Sequence, residues 1–147
     1  MIPIDSVFMI NQDRQVDANL LEELEKHNYS KVPVYSKDRR NVVGFIKLKK
    51  LLVFKGSPDK KLKDSNVVQP ISKLNENMTL LDAVDQLKAK NINFAMVYDE
   101  NNTKATGMIT LKKIFELLVL REFLDDDNQA QYIWQQPGEH LEGREQD

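Results

Sequence analysis

The sequence predicts an α/β fold made of two copies of one β-α-β-β-α unit related by an internal pseudo-twofold, and three observations carry that prediction. First, Gly44-Phe45-Ile46-Lys47-Leu48-Lys49-Lys50-Leu51 returns 63 residues later as Gly107-Met108-Ile109-Thr110-Leu111-Lys112-Lys113-Ile114. Each copy reads as a short apolar strand running directly into a helix. Second, Leu80, Ala83, Val84 and Leu87 fall at the i, i+3, i+4, i+7 spacing of one helical face, and the same shift carries them onto Asp17, Leu20, Leu21 and Leu24. Third, a β-prone run lies between stripe and joint in each copy, Tyr29 to Tyr35 and Phe94 to Tyr98. The expected organisation is a first repeat with its leading segment over 1–56, a linker over 57–66, a second repeat over 67–124 and a tail over 125–147.

Val7 to Ile10 is apolar and β-prone, and Asn11-Gln12-Asp13 ends it with turn chemistry. Asp17 reads as a helix N-cap, with Val16 and Leu21 at the spacing of a hydrophobic staple. Leu20, Leu21 and Leu24 then line the buried face of a short helix, and Asn28 closes it. In Tyr29-Ser30-Lys31-Val32-Pro33-Val34-Tyr35 the alternation predicts a strand. Pro33 has no N–H to give a ladder, so the strand is expected at an edge or where pairing is interrupted. Asp38 to Asn41 is expected as a turn and Val42 to Ile46 as the returning strand. Leu48, Leu51 and Leu52 fit a short helix that stops near Gly56-Ser57-Pro58.

In the second half, Val67-Val68 before Pro70 is expected as a weak first strand. Thr79 and Asp82 form a capping-box-like pair before the apolar run. Phe94 to Tyr98 and Ala105 to Ile109 are strands about a turn from Asp99 to Thr103. The last helix, from about Leu111 to Leu124, carries two apolar stripes: Leu111, Ile114, Phe115 and Leu118, and beside them Leu117, Leu120 and Leu124. A second stripe points to a partner surface, so Leu117, Leu120 and Leu124 are expected at a homodimer interface; the alternative is a tail folded over it. The tail itself, with Asp125-Asp126-Asp127 and a glutamine-rich stretch around Tyr132 and Trp134, is expected to be disordered after about Gly138.

Composition narrows the function classes. Among 147 residues, 30% are charged and the formal net charge is −2, which gives no bulk bias toward nucleic acid. There is no cysteine, hence neither a disulfide framework nor a thiolate metal site. No apolar run approaches the roughly 18 residues of a membrane-spanning helix, and no signal peptide is visible. The lysines at 47, 49, 50, 55, 60, 61 and 63 read as a phosphate or lipid-surface patch or as a solvated basic face, and Asp59, Asp64 and the overall charge favour the solvated face. His27 and His140 nominate no metal site, and Asp125 to Asp127 reads as a charged helix exit. With no nucleophile-elbow motif, no phosphate-cradling glycine loop and five glycines in all, no catalytic residues are assigned.

Two β-α-β-β-α copies, each ending in Gly-apolar-apolar-x-apolar, resemble a tandem pair of CBS domains, the Bateman module. The closer resemblance is to the CorC and cyclin M group associated with magnesium and cobalt transport. Met1-Ile2-Pro3-Ile4 followed by Val7-Phe8-Met9-Ile10 resembles that group's leading Met-Thr-Pro and apolar strand. Tyr29 to Tyr35 is similar to its aromatic-Ser-Arg-apolar-Pro-apolar strand, Gly107 to Leu111 to its Gly-apolar-Val-Thr-Leu joint, and Arg121 to Asp126 to its acidic exit.

The resemblance implies a regulatory module on the cytosolic side of a membrane, attached to a transmembrane domain of the same parent chain. It also implies an adenosine nucleotide (ATP, ADP or AMP, with Mg2+) held between the repeats. Carried over by position, the nucleotide residues are Ile2, Tyr29, Ser30, Lys31, Val32, Pro33, Ile109, Thr110 and Lys113, with Lys47, Lys50, Phe94 and Ala95 at a second cleft. Two departures alter the site. Lys113 stands where the group has an aspartate that grips the ribose diol, and Ile2 where it has a threonine. An ammonium only donates hydrogen bonds, so it cannot take the carboxylate's role as acceptor. Losing one charge-assisted contact costs about 1.5–3 kcal/mol, which implies a degenerate cleft or one that prefers a more anionic ligand through Lys31, Lys50 and Lys113. The alternatives are a ligand-free dimerisation module and a regulatory module of an unrelated soluble enzyme.

Overall fold

The computed structural model describes residues 1–53, 60–123 and 132–133. The described residues form two compact units, one within Phe8–Ile71 and one of Met1–Val7 together with those that follow from Ser72. The expected β-α-β-β-α order is present in both.

The strands in chain order are β1 (Ile2–Pro3), β2 (Ile10–Asn11), β3 (Lys31–Ser36), β4 (Asp38–Lys47), β5 (Lys73–Asn75), β6 (Phe94–Tyr98) and β7 (Ala105–Thr110). The helices are α1 (Ala18–His27), α2 (Leu48–Val53), α3 (Leu80–Ala89) and α4 (Leu111–Phe123). The first-repeat sheet has the order β2-β3-β4, with β2 parallel and β4 antiparallel to β3. Leu20 and Leu24 of α1, Leu51 of α2 and Val32, Val34 and Ile46 of the strands pack into one core and are all fully buried.

Capping residues set the helix ends. The Asp17 carboxylate accepts from the Leu20 N–H at 3.0 Å, and Asn28 closes α1 in the left-handed region at φ 56°. Asn91, 63 residues on, has φ 54° and follows α3, where the Thr79 hydroxyl accepts from the Asp82 N–H at 3.1 Å. Asparagine tolerates this conformation better than other residues with a Cβ, so the same residue ends the same turn twice.

The second-repeat sheet has the order β1-β7-β6-β5. Its leading strand comes from the start of the chain: Ile2 lies opposite Met108 and Pro3 opposite Gly107. In the first-repeat unit, Gln69 takes the equivalent place beside Phe45, the two residues exchanging N–H···O bonds of 2.8 Å. These close approaches explain the two glycines of the repeated joint. Neither glycine has positive φ. A Cβ on Gly107 would stand 2.5 Å from the Ile2 carbonyl oxygen, and one on Gly44 would collide with the Gln69 carbonyl and lie 2.8 Å from Val68 Cγ1. The glycines are required by crowding.

Several local expectations are corrected. The Val7 to Ile10 strand is reduced to Ile10–Asn11, because Ile4–Ser6 forms a 3-10 turn and Val7 and Met9 are buried as single side chains. The strand containing Pro33 is the middle strand of its sheet. Phe45 directs its N–H to Gln69, so it faces Pro33 as a non-hydrogen-bonded pair, and the missing donor of Pro33 points toward β2, whose ladder begins only at Val34. Pairing is thus interrupted at one residue, within a central strand.

The expected turn over Asp38 to Asn41 is instead the start of β4; Lys37 alone, at φ 64°, makes the reversal between Ser36 and Asp38. The first strand of the second repeat is Lys73–Asn75. Val67 and Val68 pack against the first-repeat core. Only Leu74 of β5 is apolar, and it is buried, so a three-residue strand leaves no alternation to read.

On α4, Ile114 and Leu117 are buried while Phe115, Val119 and Leu120 are 42%, 54% and 51% exposed. Leu117 and Phe115 therefore trade places between the two stripes read from the sequence. The expected end of α2 near Gly56-Ser57-Pro58 lies outside the described residues, as do Lys55, Leu124, Asp125 to Asp127, Trp134, Gly138 and His140.

Candidate functional site

Each repeat ends its second long strand and begins its last helix at one point, and the backbone geometry there is the same twice. The Leu111 N–H donates to the Asn93 carbonyl at 2.7 Å; 63 residues earlier the Leu48 N–H donates to the Ser30 carbonyl at 2.9 Å. The helix start is thereby pinned to the residue just before the first strand of the hairpin, β3 in one repeat and β6 in the other.

In the second-repeat unit, Thr110 is the last residue of β7 and lies opposite Phe94, with Ala95 opposite Ile109. Phe94, Ala95 and Ile109 are buried, so their side chains serve the packing of this end of the sheet. The Thr110 hydroxyl oxygen accepts from the Lys113 N–H at 3.2 Å and so caps α4, leaving its own proton to donate. The Lys113 ammonium extends along the helix to Glu116, 3.9 Å away, with 18% of its side chain exposed. Ile2 is 2% exposed beside Met108, one residue along β7 from Ile109. Ile2, Phe94, Ala95, Ile109, Thr110 and Lys113 are thus gathered at one end of one sheet.

In the first-repeat unit, Tyr29, Ser30, Lys31 and Lys47 line one open depression of about 720 Å³. Lys31 and Lys47 are directly opposite each other on β3 and β4. Like charges directly opposite one another on neighbouring strands are destabilising. Asn28, Leu48, Lys49 and Leu52 complete the lining, and the sequence assigns none of them to a site. Their signal lay in the register, which places the α1 exit beside the β4–α2 joint. Val32 and Pro33 are buried within the sheet, and Lys50 is exposed on α2. Tyr29 stacks on His27, with ring centroids 5.9 Å apart, and Phe8 packs against both.

One carboxylate has a displaced pKa. The Thr103 hydroxyl, then the Thr103 N–H, hold the Asp99 carboxyl below its ordinary value of 3.8. Asp99 sits in the β6–β7 turn, at the opposite end of the sheet from Thr110, and its role is structural. Among the described residues no group of three or more His, Asp or Glu side chains is arranged to hold a metal ion. No helix among them is long and apolar enough to cross a membrane.

Comparison with known proteins places this architecture. Residues 65–120 match the family model for the CBS domain. The chain is 27% identical to a solved structure of the CBS domain of the bacterial CNNM/CorC family Mg2+ transporter in complex with ATP, with a TM-score of 0.66 over 81% of this chain and 83% of that one. The fold is that of a CBS module, of mixed α/β class. Within that class it resembles the CorC and cyclin M group: it is 29% identical over 136 residues to the metal transporter cnnm-5 of Caenorhabditis elegans, covering 81% of this chain and 19% of that protein. A DUF21 domain-containing protein of Arabidopsis thaliana is 29% identical over 98 residues, 66% of this chain and 23% of the relative. The chain spans about a fifth of the length of these two relatives.

Proposed function

We propose that this chain is the regulatory, ligand-sensing CBS-pair module of a protein that transports magnesium or another divalent cation. On this reading it performs no catalysis and works as a homodimer on the cytosolic side of a membrane, joined to a transmembrane domain of its parent chain. The observation that carries the reading is the Thr110 joint: a hydroxyl capping the last helix of the second repeat, in a chain 27% identical to a CBS domain solved with ATP. The nucleotide residues of the proposal are Ile2, Tyr29, Ser30, Lys31, Val32, Pro33, Ile109, Thr110 and Lys113, with Lys47, Lys50, Phe94 and Ala95 at the second cleft.

The site is an altered one. Lys113 offers an ammonium where a ribose diol would need an acceptor. Ile2 replaces a hydroxyl with a buried aliphatic side chain. The lysines favour a ligand with more negative charge, and Lys31 opposite Lys47 supports the same preference. Isothermal calorimetry with ATP, ADP and AMP, with and without Mg2+, tests this. The expected result is weak ATP binding, and submicromolar binding that survives Thr110→Ala would overturn it.

A second reading, a dimerisation module without a ligand, is favoured by the same lysine and by the exposed Phe115, Val119 and Leu120 of α4. Thermal shift across a nucleotide panel separates the two, because a ligand that binds the native state raises its stability by mass action.

A further inference from the structure

The segment beyond α4 looks like a tail in the sequence, yet two of its residues are seated in the second repeat. Tyr132 forms an antiparallel bridge with Thr79, the cap of α3, and the Ile133 N–H donates to the Met78 carbonyl at 3.1 Å. Ile133 is 0% exposed and belongs to the same core as Leu80, Ala83 and Ile114.

The first repeat contains the same device. Lys61 bridges to Gln15 just ahead of the α1 cap, the Leu62 N–H donates to the Arg14 carbonyl at 2.8 Å, and Leu62 is 0% exposed in the first-repeat core. In both repeats the chain leaves the last helix, returns to the segment before the first helix, and buries one aliphatic side chain there. Leu62 comes 9 residues after the end of α2 and Ile133 10 residues after the end of α4. The hydrogen-bond pattern is also shared: the residue after the bridge donates to the residue before its partner.

We propose that Tyr132–Ile133 is the closing strap of the second repeat, the counterpart of Lys61–Leu62, and that its seating controls the stability of the second repeat separately from the first. The slot it fills, at the entrance to α3, takes one aliphatic side chain directly after a bridging residue. A two-residue attachment opens at lower free energy than the unit it closes.

Hydrogen exchange on the full chain, read by mass spectrometry, tests the strap with Ile133→Asp and Leu62→Asp. With Ile133→Asp, amides of β5 and α3 should exchange about tenfold faster or more, while those of α1, β3 and β4 keep their protection. Leu62→Asp should do the reverse. If Ile133→Asp unfolds the whole chain, Ile133→Ala is read in its place by the same criterion. Unchanged exchange at α3, or equal loss of protection in both repeats, overturns the proposal.

Discussion

At Gly107 the sequence and the fold meet most directly. A methyl group there would be driven into the Ile2 carbonyl, which cannot move without lifting β1 from β7. Gly107→Ala should cost about 1–3 kcal/mol, measured by urea denaturation, and Gly44→Ala should act alike through Gln69. Asp99 offers a second residue-scale prediction. Its carboxylate accepts from the Thr103 N–H at 2.7 Å and the Thr103 hydroxyl at 2.8 Å, which lowers its pKa. A carboxyl with a depressed folded pKa stabilises above its ordinary value and loses that contribution as pH falls through the folded value. Asp99→Ala should therefore be less stable than the parent at neutral pH, and the difference should shrink as pH falls below about 4, followed by thermal unfolding against pH.

At the scale of the element, α4 shows what periodicity can and cannot decide. Two apolar stripes are evident from spacing alone, and a four-residue rotation error is enough to assign Leu117 outward and Phe115 inward. The structure does the opposite, since Leu117 packs on the core and Phe115 lies under the Lys88 ammonium, 5.9 Å from the ring centroid. The outward stripe is the surface on which the proposed homodimer depends. Phe115→Asp combined with Val119→Asp should shift the chain to monomer in sedimentation velocity, with helical content unchanged by circular dichroism; an unaltered sedimentation coefficient would remove α4 from the interface. Short elements were the least legible. Helices α1 and α3 were readable from their stripes and caps, because burial of Leu20, Leu24, Leu80 and Leu87 imposes a period. Strand β5 was not, because a segment with one buried side chain has no period.

At the scale of the molecule, the repeat of 63 residues was enough to fix the element order and the resemblance, whereas the partner of each leading segment was invisible. Nothing in Ile2-Pro3 specifies pairing with Met108, and nothing in Val68-Gln69 specifies pairing with Phe45; only the crowding at the two glycines betrays it. Spacing along the chain does not show which site positions meet: register sets Lys31 against Lys47, and Phe94 and Ala95 against Thr110 and Ile109. Restoring the carboxylate by Lys113→Asp should tighten ATP binding by roughly ten- to a hundredfold, read by calorimetry. No gain would show that the ribose is not held there.

The leading strands also bear on what either half of the chain could do alone. Because Ile2–Pro3 completes the sheet that holds the later half of the chain, a gene encoding either half alone would yield a polypeptide with an unfilled β edge and a strand left over. Two such products could satisfy each other by reciprocal donation.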